Sequence, residues 1–521
     1  MALIKHTAAV SGLTLLSRIF GVIRDASIAM IIGTTATSDA FFIAFRPFDL
    51  LRKMFSDGIF SISFVPAFSR YIQTGQRDDA VTMVSSALGV LSALSVFLML
   101  AGWLLAPWML HLMAPGFAPG GDRFALTLTL FKIMIPYFWV IMMISLCMAV
   151  LNTLGHFCVP GATPLVFNLA VIVFALTVPG KMFEPEIWLA VGVMVGSGIQ
   201  LVFQIPFMIR HRLIQPARIV WCHPPVMDSV KKMLPCMVGA APYQINMLVI
   251  SFLASFLVDG SVSFLYYADR LVQFPVALIA VSVSTVLLPF FSRKAAAGDI
   301  AGISRVFDSG VRMAVFLAVP ATAGLMVLRE PVVRLLFGQG AFDTSAVIHT
   351  TECLWYLAPG ISAFIGTRLF VTLHYALNSF RDPFYAGMIS MGINFVCAPV
   401  LMFYMEAQGL ALAVTVSSLA GFIFLMCRPL AGVVVSKTGI LVSACRAFFI
   451  SAIMLCLIQW IKQPFFFDNE SKLLLGAKVM VCICLGITVV WTGAKILGLP
   501  ELNMAGQWPD EIKKGDSHGA C

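Results

Sequence analysis

The feature that most constrains this chain is the recurrence of apolar segments long enough to cross a membrane. A helix rises about 1.5 Å per residue, so about 20 mostly apolar residues cross a hydrocarbon core of about 30 Å. Segments of that kind lie near 8–33, 38–70, 80–112, 124–152, 160–180, 187–209, 233–258, 262–292, 308–328, 348–376, 384–405, 408–432, 440–462 and 473–497. The pattern predicts an all-α polytopic membrane protein with 14 transmembrane helices. Composition agrees: 60% of the 521 residues are hydrophobic and only 11% are charged, where a soluble protein carries about 25%. Too few polar groups remain to cover a soluble globule of this length. That excludes an ordinary cytosolic enzyme, a disordered chain and a disulfide scaffold. The 12 Cys are scattered and form no CxxC pair; they read as small apolar filler rather than as a zinc or disulfide framework. Arg18 interrupts the apolar run of the N-terminus, so this stretch reads as a first membrane helix and not as a cleaved leader.

The loops assign a side. With the N-terminus placed in the cytoplasm, the cytoplasmic side of the 14-span count holds 17 Lys and Arg and the other side 6; the remaining 11 of 34 lie within spans. Cytoplasmic loops of membrane proteins carry the excess of cations, so both termini are expected inside.

An internal repeat organises the spans. Val65–Arg70 reads VPAFSR and Leu288–Arg293 reads LPFFSR, 223 residues later. Then Pro107–Phe117, PWMLHLMAPGF, is echoed by Pro331–Phe342, PVVRLLFGQGAF, at an offset of 224 to 225. Two echoes in order at nearly one offset read as a duplication of spans 1–6 into spans 7–12. Six is even, so the halves keep one orientation and form a parallel repeat. The expected organisation is an N-lobe over 1–218, a C-lobe over 219–435, two further spans over 436–500 that offer a groove for a lipid tail, and a cytoplasmic tail over 501–521.

The first two spans carry Arg18, Arg24, Asp25, Asp39, Arg46, Asp49, Arg52, Lys53 and Asp57. A charge facing lipid at mid-bilayer costs about 2.5–3.5 kcal/mol even on the mild insertion scale. Nine such costs exceed the whole stability of a typical domain, so these groups must face water or one another. Asp49 precedes Arg52 by three and Lys53 by four, spacings that allow pairing along a helix. Pro47 is expected to distort the helix beside Arg46. The second half adds Asp269 and Arg270 in YYADRLVQFP, Glu352 and Arg368. The planar fork of arginine matches phosphate with two parallel hydrogen bonds. Arg18, Arg24, Arg52 and Arg270 are therefore the first candidates for holding a phosphate or pyrophosphate; Arg46, Lys53 and Arg368 are weaker candidates, and with Asp269 they form a secondary set of cavity residues. Structural ion pairing between helices is the alternative. Gly192 and Gly196 form a GxxxG that reads as close helix packing. Asn168, Gln244, Asn246 and Asn394 read as interhelical hydrogen-bonding groups or ligands of a coupling cation. No Walker A, HExxH or dinucleotide fingerprint occurs, so neither a cofactor nor a resident metal is expected.

Several stretches carry a family resemblance: SRIFGVIRDASIA (17–29), SDAFFIAFRPFDLLRKMFSDGIFSISFVPAFSRY (38–71), APGF (114–117), YYADRLVQFP (266–275), LLFGQGAFD (335–343) and YALNSFRDP (375–383). Together these are similar to the MurJ (MviN) lipid II flippases, of the multidrug/oligosaccharidyl-lipid/polysaccharide exporter superfamily. The resemblance implies a fold of 14 helices in two lobes. It implies transfer of lipid-linked peptidoglycan precursor, lipid II, from the cytoplasmic to the periplasmic leaflet of a bacterial inner membrane. It implies that arginines matching Arg18, Arg24, Arg52 and Arg270, with an acidic residue matching Asp39, line a central cavity and serve transport. Lipid II, membrane lipids and cell-wall synthesis proteins are the implied partners, and nucleic acid is not. The chain departs from the pattern at Arg46, where Lys is common; at Pro47-Phe48-Asp49; at Lys53, where Arg is common; and at Gln273, where some members carry an acid. Two rivals remain. A drug exporter of the same superfamily takes cations and wants an acidic cavity, against the arginine-rich first spans. A membrane enzyme acting on polyprenyl phosphates needs a denser acid–base or metal cluster than Asp49 and Asp57 supply; the expectation is a transporter and not an enzyme.

Overall fold

The computed structural model describes residues 2–56, 59–177, 184–211, 213, 215, 219–281, 287, 290–291, 293–295, 297–377, 379–428, 432–433, 436–466 and 470–499. Asp57, Lys181, Arg212, Arg218, Asn378, the tail 501–521, and Leu288, Pro289 and Ser292 of LPFFSR fall outside these residues. Among the described residues the chain is all-helical.

Two compact units emerge. The first comprises Met1–Ser263 with Gln339–Ala346, the second Phe264–Gly338 with Val347–Cys521. The first unit contains α1 (Ala2–Ile32), α2 (Ala36–Ser56), α3 (Ile59–Gln73), α4 (Arg77–Met113), α5 (Asp122–Met134), α6 (Tyr137–Thr153), α7 (Cys158–Leu176), α8 (Pro185–Arg210) and α9 (Pro224–Ala254). Helix α10 (Ser261–Val276) begins in it and is followed by a π-turn at Ala277–Val281. The second unit contains α11 (Ile300–Val327), α12 (Arg329–Leu336), α13 (Thr344–Leu357, which starts in the first unit), α14 (Gly360–Ala376), α15 (Arg381–Cys427), α16 (Lys437–Phe465) and α17 (Lys472–Ile496).

Among the described residues eight helical segments are long and apolar enough to cross a membrane, or nine when α13 and α14, bent by 49°, count as one. Helices α5 and α6 qualify together as Asp122–Thr153. Helix α15 runs for 47 residues, which is about 70 Å, far more than one crossing needs. Glu406 breaks it with φ 49° and ψ −129°. A Cβ on Gly409 would strike the Leu401 carbonyl, so the chain folds back tightly there. The two spans read at 384–405 and 408–432 meet at this break. Helix α2 is not among these apolar segments, since it carries Asp39, Arg46, Asp49, Arg52 and Lys53. It continues as helix through Pro47.

Large apolar side chains face outward: Trp108, Phe403, Trp460 and Leu473 are each more than three-quarters exposed. In water such faces would aggregate; in lipid they meet a solvent as apolar as themselves. Inside the first unit α1 packs on α7, α7 on α8, α2 on α5, and α3 on α9. Gly192 lies against Phe174 and Gly196 against Val171, so the GxxxG does join α7 to α8, while Gly198 meets nothing. Phe48, fully buried, sits 5.2 Å from the Phe131 ring and 5.0 Å from Phe138. Burying such a ring stabilises by about 1.5–3 kcal/mol, and it anchors the charged helix α2 to α5 and α6. In the second unit α11 packs on α16, α14 on α15, and α16 on α17.

The repeat offset reappears as contacts within the first unit. Ser38 and Ser263, 225 residues apart, share a hydrogen bond of 2.7 Å. The loop after α4 meets the end of α9, where Gly116 N–H donates to Ser255 Oγ at 3.1 Å and a Cβ on Gly116 would strike the Ser255 carbonyl. The loop at 339–342 meets the end of α1, where Ala341 N–H donates to the Met30 carbonyl at 2.8 Å. Gly340, at φ +62°, has room for no Cβ beside that carbonyl. Gly116 and Gly340 are 224 apart, and Met30 and Ser255 are 225 apart. The motifs APGF and GQGAF are thus the same device, a close-approach glycine that lets a loop seal a helix end.

The loops after α6 and α8 meet through His156 and His211, whose Nε2 atoms are 2.8 Å apart. At that distance one ring donates and the other accepts, so protonating both destroys the bond. Burial, then the positive fields of His156, Arg210 and Arg77, hold the His211 pKa below its ordinary 6.5. The folded state therefore binds fewer protons than the unfolded chain between the lowered pKa and about 6.5. Stability is expected to fall as pH drops through that window and to level off below it. Thermal unfolding from pH 7.5 to 5 measures this; His156→Gln should flatten the profile, and an unchanged slope would assign the pH response elsewhere.

Candidate functional site

The expected cluster is built on α1 and α2, whose described side chains carry Arg18, Arg24, Arg46, Arg52 and Lys53 against Asp25, Asp39 and Asp49. Arg24 and Asp25 are 7% and 3% exposed. Arg24 donates from Nε at 3.1 Å and from Nη2 at 2.7 Å to Asp25 Oδ1, and from Nη1 at 3.1 Å to Asn168 Oδ1. Asn168 in turn donates to the Ser17 carbonyl at 2.9 Å, and Phe167 lies 5.8 Å beneath the guanidinium. Asn168 therefore works as an interhelical tie between α7 and α1. Arg18 is half-buried on the same helix.

On α2 the pairing follows the spacing. Asp49 Oδ1 accepts from Arg52 Nη2 at 2.6 Å and Asp49 Oδ2 pairs with Lys53 Nζ at 3.0 Å. The carboxylate is 4% exposed while the two cations are 29% and 32% exposed, so the anion is inside and the cations reach outward. Tyr137, fully buried, lies within electrostatic range of Arg24, Asp49 and Arg52 together. Tyr137 is thus a buried phenol in the vicinity of charges from both α1 and α2, and no sequence signal marks it. Arg46 points elsewhere, donating from Nε to Ser251 Oγ at 2.9 Å and from Nη2 to the Met247 carbonyl at 3.3 Å on α9.

Asp39 is used differently from its neighbours. It is 3% exposed. Its carboxylate accepts from Gly260 N–H at 2.8 Å, Ser263 N–H at 2.9 Å and Ser263 Oγ at 2.6 Å. The first turn of α10 has glycine at its cap and no side chain of its own to satisfy the free amides. Asp39 supplies the missing oxygen from 221 residues away.

In the second unit Arg270 donates from Nη2 to Tyr266 Oη at 2.8 Å and stacks 4.6 Å over the same ring. Gln273, the departure from the family pattern, donates to Asp269 Oδ1 at 3.3 Å. Arg368 is exposed on α14, and Glu352 accepts from Gln408 at 2.6 Å. Gln244 Oε1, Asn246 Oδ1 and both side-chain atoms of Asn394 are buried without a hydrogen-bond partner among the described residues. No group of three or more His, Cys, Asp or Glu that could hold a metal occurs among those residues.

A multi-pass helical fold with paired and capped charges on its first two helices defines a polytopic membrane protein, and solved structures share that fold. A lipid II flippase MurJ in an inward-closed conformation superposes with a TM-score of 0.80 at 24% identity, covering 94% of this chain and 98% of that one. An inward-facing multidrug resistance MATE family transporter of the MOP superfamily superposes at 0.68 with 11% identity, covering 84% and 98%. The family model described as lipid II flippase MurJ matches residues 28–478. The probable lipid II flippase MurJ of Vibrio cholerae is 35% identical over 80% of this chain and 81% of its own length. The lipid II flippase MurJ of Burkholderia cenocepacia is 31% identical over 77% and 79%. The chain belongs to the lipid II flippase MurJ family. The residues matched by the family model begin after Arg18 and Arg24.

Proposed function

We propose that this protein moves lipid II from the cytoplasmic to the periplasmic leaflet of a bacterial inner membrane, with both termini in the cytoplasm. The observation that carries the reading is membership of the MurJ family together with arginines retained in membrane helices against the cost of burying charge. Arg18, Arg24, Arg52 and Arg270 hold the pyrophosphate, the polyprenyl tail stays in lipid along the last two helices, and alternating access carries the headgroup across. Arg46, Lys53, Asp269 and Arg368 are secondary cavity candidates. A partly exposed Arg52 that shares Asp49 with Lys53 fits the role, because a phosphate can take over one cation while the other keeps the carboxylate neutralised. The helix-capping bonds of Asp39 give it a positioning role, holding α2 to the start of α10. Transfer makes and breaks no covalent bond, so no catalytic group is required.

The test is complementation in a bacterium depleted of its own lipid II flippase, scored by growth and by a leaflet assay for lipid II. The wild-type chain is expected to restore both. Arg52→Ala and Arg270→Ala are each expected to abolish rescue at unchanged membrane abundance. Rescue by both variants would sink the arginine reading. Failure of the wild-type chain despite verified membrane expression would move the substrate to another polyprenyl-pyrophosphate-linked glycan.

A further inference from the structure

A second basic pocket lies where α11 meets the start of α16, and it shares no residue with the arginine set above. Ser436 caps α16: its Oγ accepts from Gly439 N–H at 3.1 Å, and its own N–H donates to Asp308 Oδ1 at 3.0 Å. Asp308 Oδ2 pairs with Arg312 Nη2 at 2.6 Å, four residues along α11. This pair lays the Arg312 guanidinium against the α16 backbone, where a Cβ on Gly439 would collide with it. The Nε–H of Arg312 is buried and meets no acceptor among the described residues. Gly439, Ser443 and Arg446 follow at spacings of four and three, so they share one helical face, and Arg446 is exposed. Arg312, Arg446, Ser436, Thr438, Gly439 and Ser443 line a cavity of about 350 Å³. That is the low end of ligand pockets, about 300–1,000 Å³.

The chemistry of the lining is that of a phosphate receptor. Two guanidinium groups arrive from two different helices, three hydroxyls surround them, and Asp308 opposes them. The start of a 29-residue helix adds its partial positive charge. We propose that this pocket binds the phosphate group of an anionic phosphoryl ligand. Two sources offer that group: the headgroup of a membrane phospholipid and soluble phosphate. Both flanking helices contain membrane spans and the pocket sits at the end of one, where headgroups lie, so the lipid is the expected source.

The test uses the full-length protein, purified in detergent and stripped of lipid. Its thermal unfolding is followed while phosphatidylglycerol, phosphatidylcholine or sodium phosphate is added at constant ionic strength. Phosphatidylglycerol is expected to raise the unfolding temperature above the phosphatidylcholine control. Arg446→Gln is expected to weaken the apparent affinity roughly tenfold, and Arg446→Lys to keep part of it. Gly439→Ala, which displaces Arg312, should act in the same direction. An equal Arg446-dependent shift with sodium phosphate, and none peculiar to phosphatidylglycerol, upholds the phosphate site and assigns it to the soluble source. If Arg446→Gln leaves every shift intact, the pocket is not a phosphate site. Since Arg446 is exposed, its loss does not endanger the fold.

Discussion

Replacing Arg24 with alanine is expected to lower the stability of the purified protein by about 3–5 kcal/mol, the usual cost of removing one member of a buried ion pair. Arg24 and Asp25 are both more than nine-tenths buried. The substitution takes away the two hydrogen bonds that Asp25 Oδ1 accepts and the one that Asn168 accepts. The carboxylate then sits in a low-dielectric site with its adjacent cation gone. Thermal unfolding in detergent measures the loss. The double variant Arg24→Met, Asp25→Asn should recover most of it, because replacing both charges removes the mismatch. A single alanine variant as stable as wild type would show that the pair contributes nothing to the fold. The consequence for transport assays is direct. A defect in Arg24→Ala mixes folding with ligand binding, whereas Arg52 and Arg270, both less buried, report on the ligand more cleanly.

Gly340→Val is the second large effect, expected at about 2–6 kcal/mol. A branched residue at φ +62° adopts a backbone conformation that costs about 1–3 kcal/mol. Its Cβ would also strike the Met30 carbonyl, and overpacking of this kind costs about 1–3 kcal/mol more. The loop would have to lift, breaking the 2.8 Å bond from Ala341 N–H to Met30. Gly120 provides the control. It has φ +84° but open space around it, so Gly120→Ala should show only the backbone strain, about 1–2 kcal/mol. If both variants unfold at the same temperature, close approach at Gly340 is not what the motif GQGAF preserves.

The all-helical, multi-pass character was legible in the sequence because hydropathy and helical spacing are local. Asp49 and its cations at three and four residues could be paired on paper for the same reason. The break in α15 was legible as a gap of two residues between apolar runs, though not that Glu406 makes it. Tyr137 was not legible: a tyrosine in an apolar helix has no pattern that marks it as the residue among Arg24, Asp49 and Arg52. Asp39 was legible as a charge that must be satisfied. Its partners, Gly260 and Ser263, were not, because nothing along the chain records which helix start lacks a cap. The echo of APGF in GQGAF pointed to duplication; only the contacts explained it, with each glycine pressed against a helix end.

The sequence by itself determined that this chain is a multi-pass helical membrane protein resembling the MurJ family. It also determined that arginines stand where lipid would exclude them. Those conclusions need only the composition of one segment at a time, and the cost of a charge in hydrocarbon does not depend on the neighbours. Tertiary structure alone decided which partner each charge meets within the fold. Arg24 is held by Asp25 and Asn168, Asp39 by the first turn of α10, and Arg46 by α9, while Arg52 stays partly exposed beside a shared carboxylate. The reason is physical: burial and hydrogen-bond geometry are set by side chains that meet from positions 144 to 224 residues apart, and no local pattern encodes them.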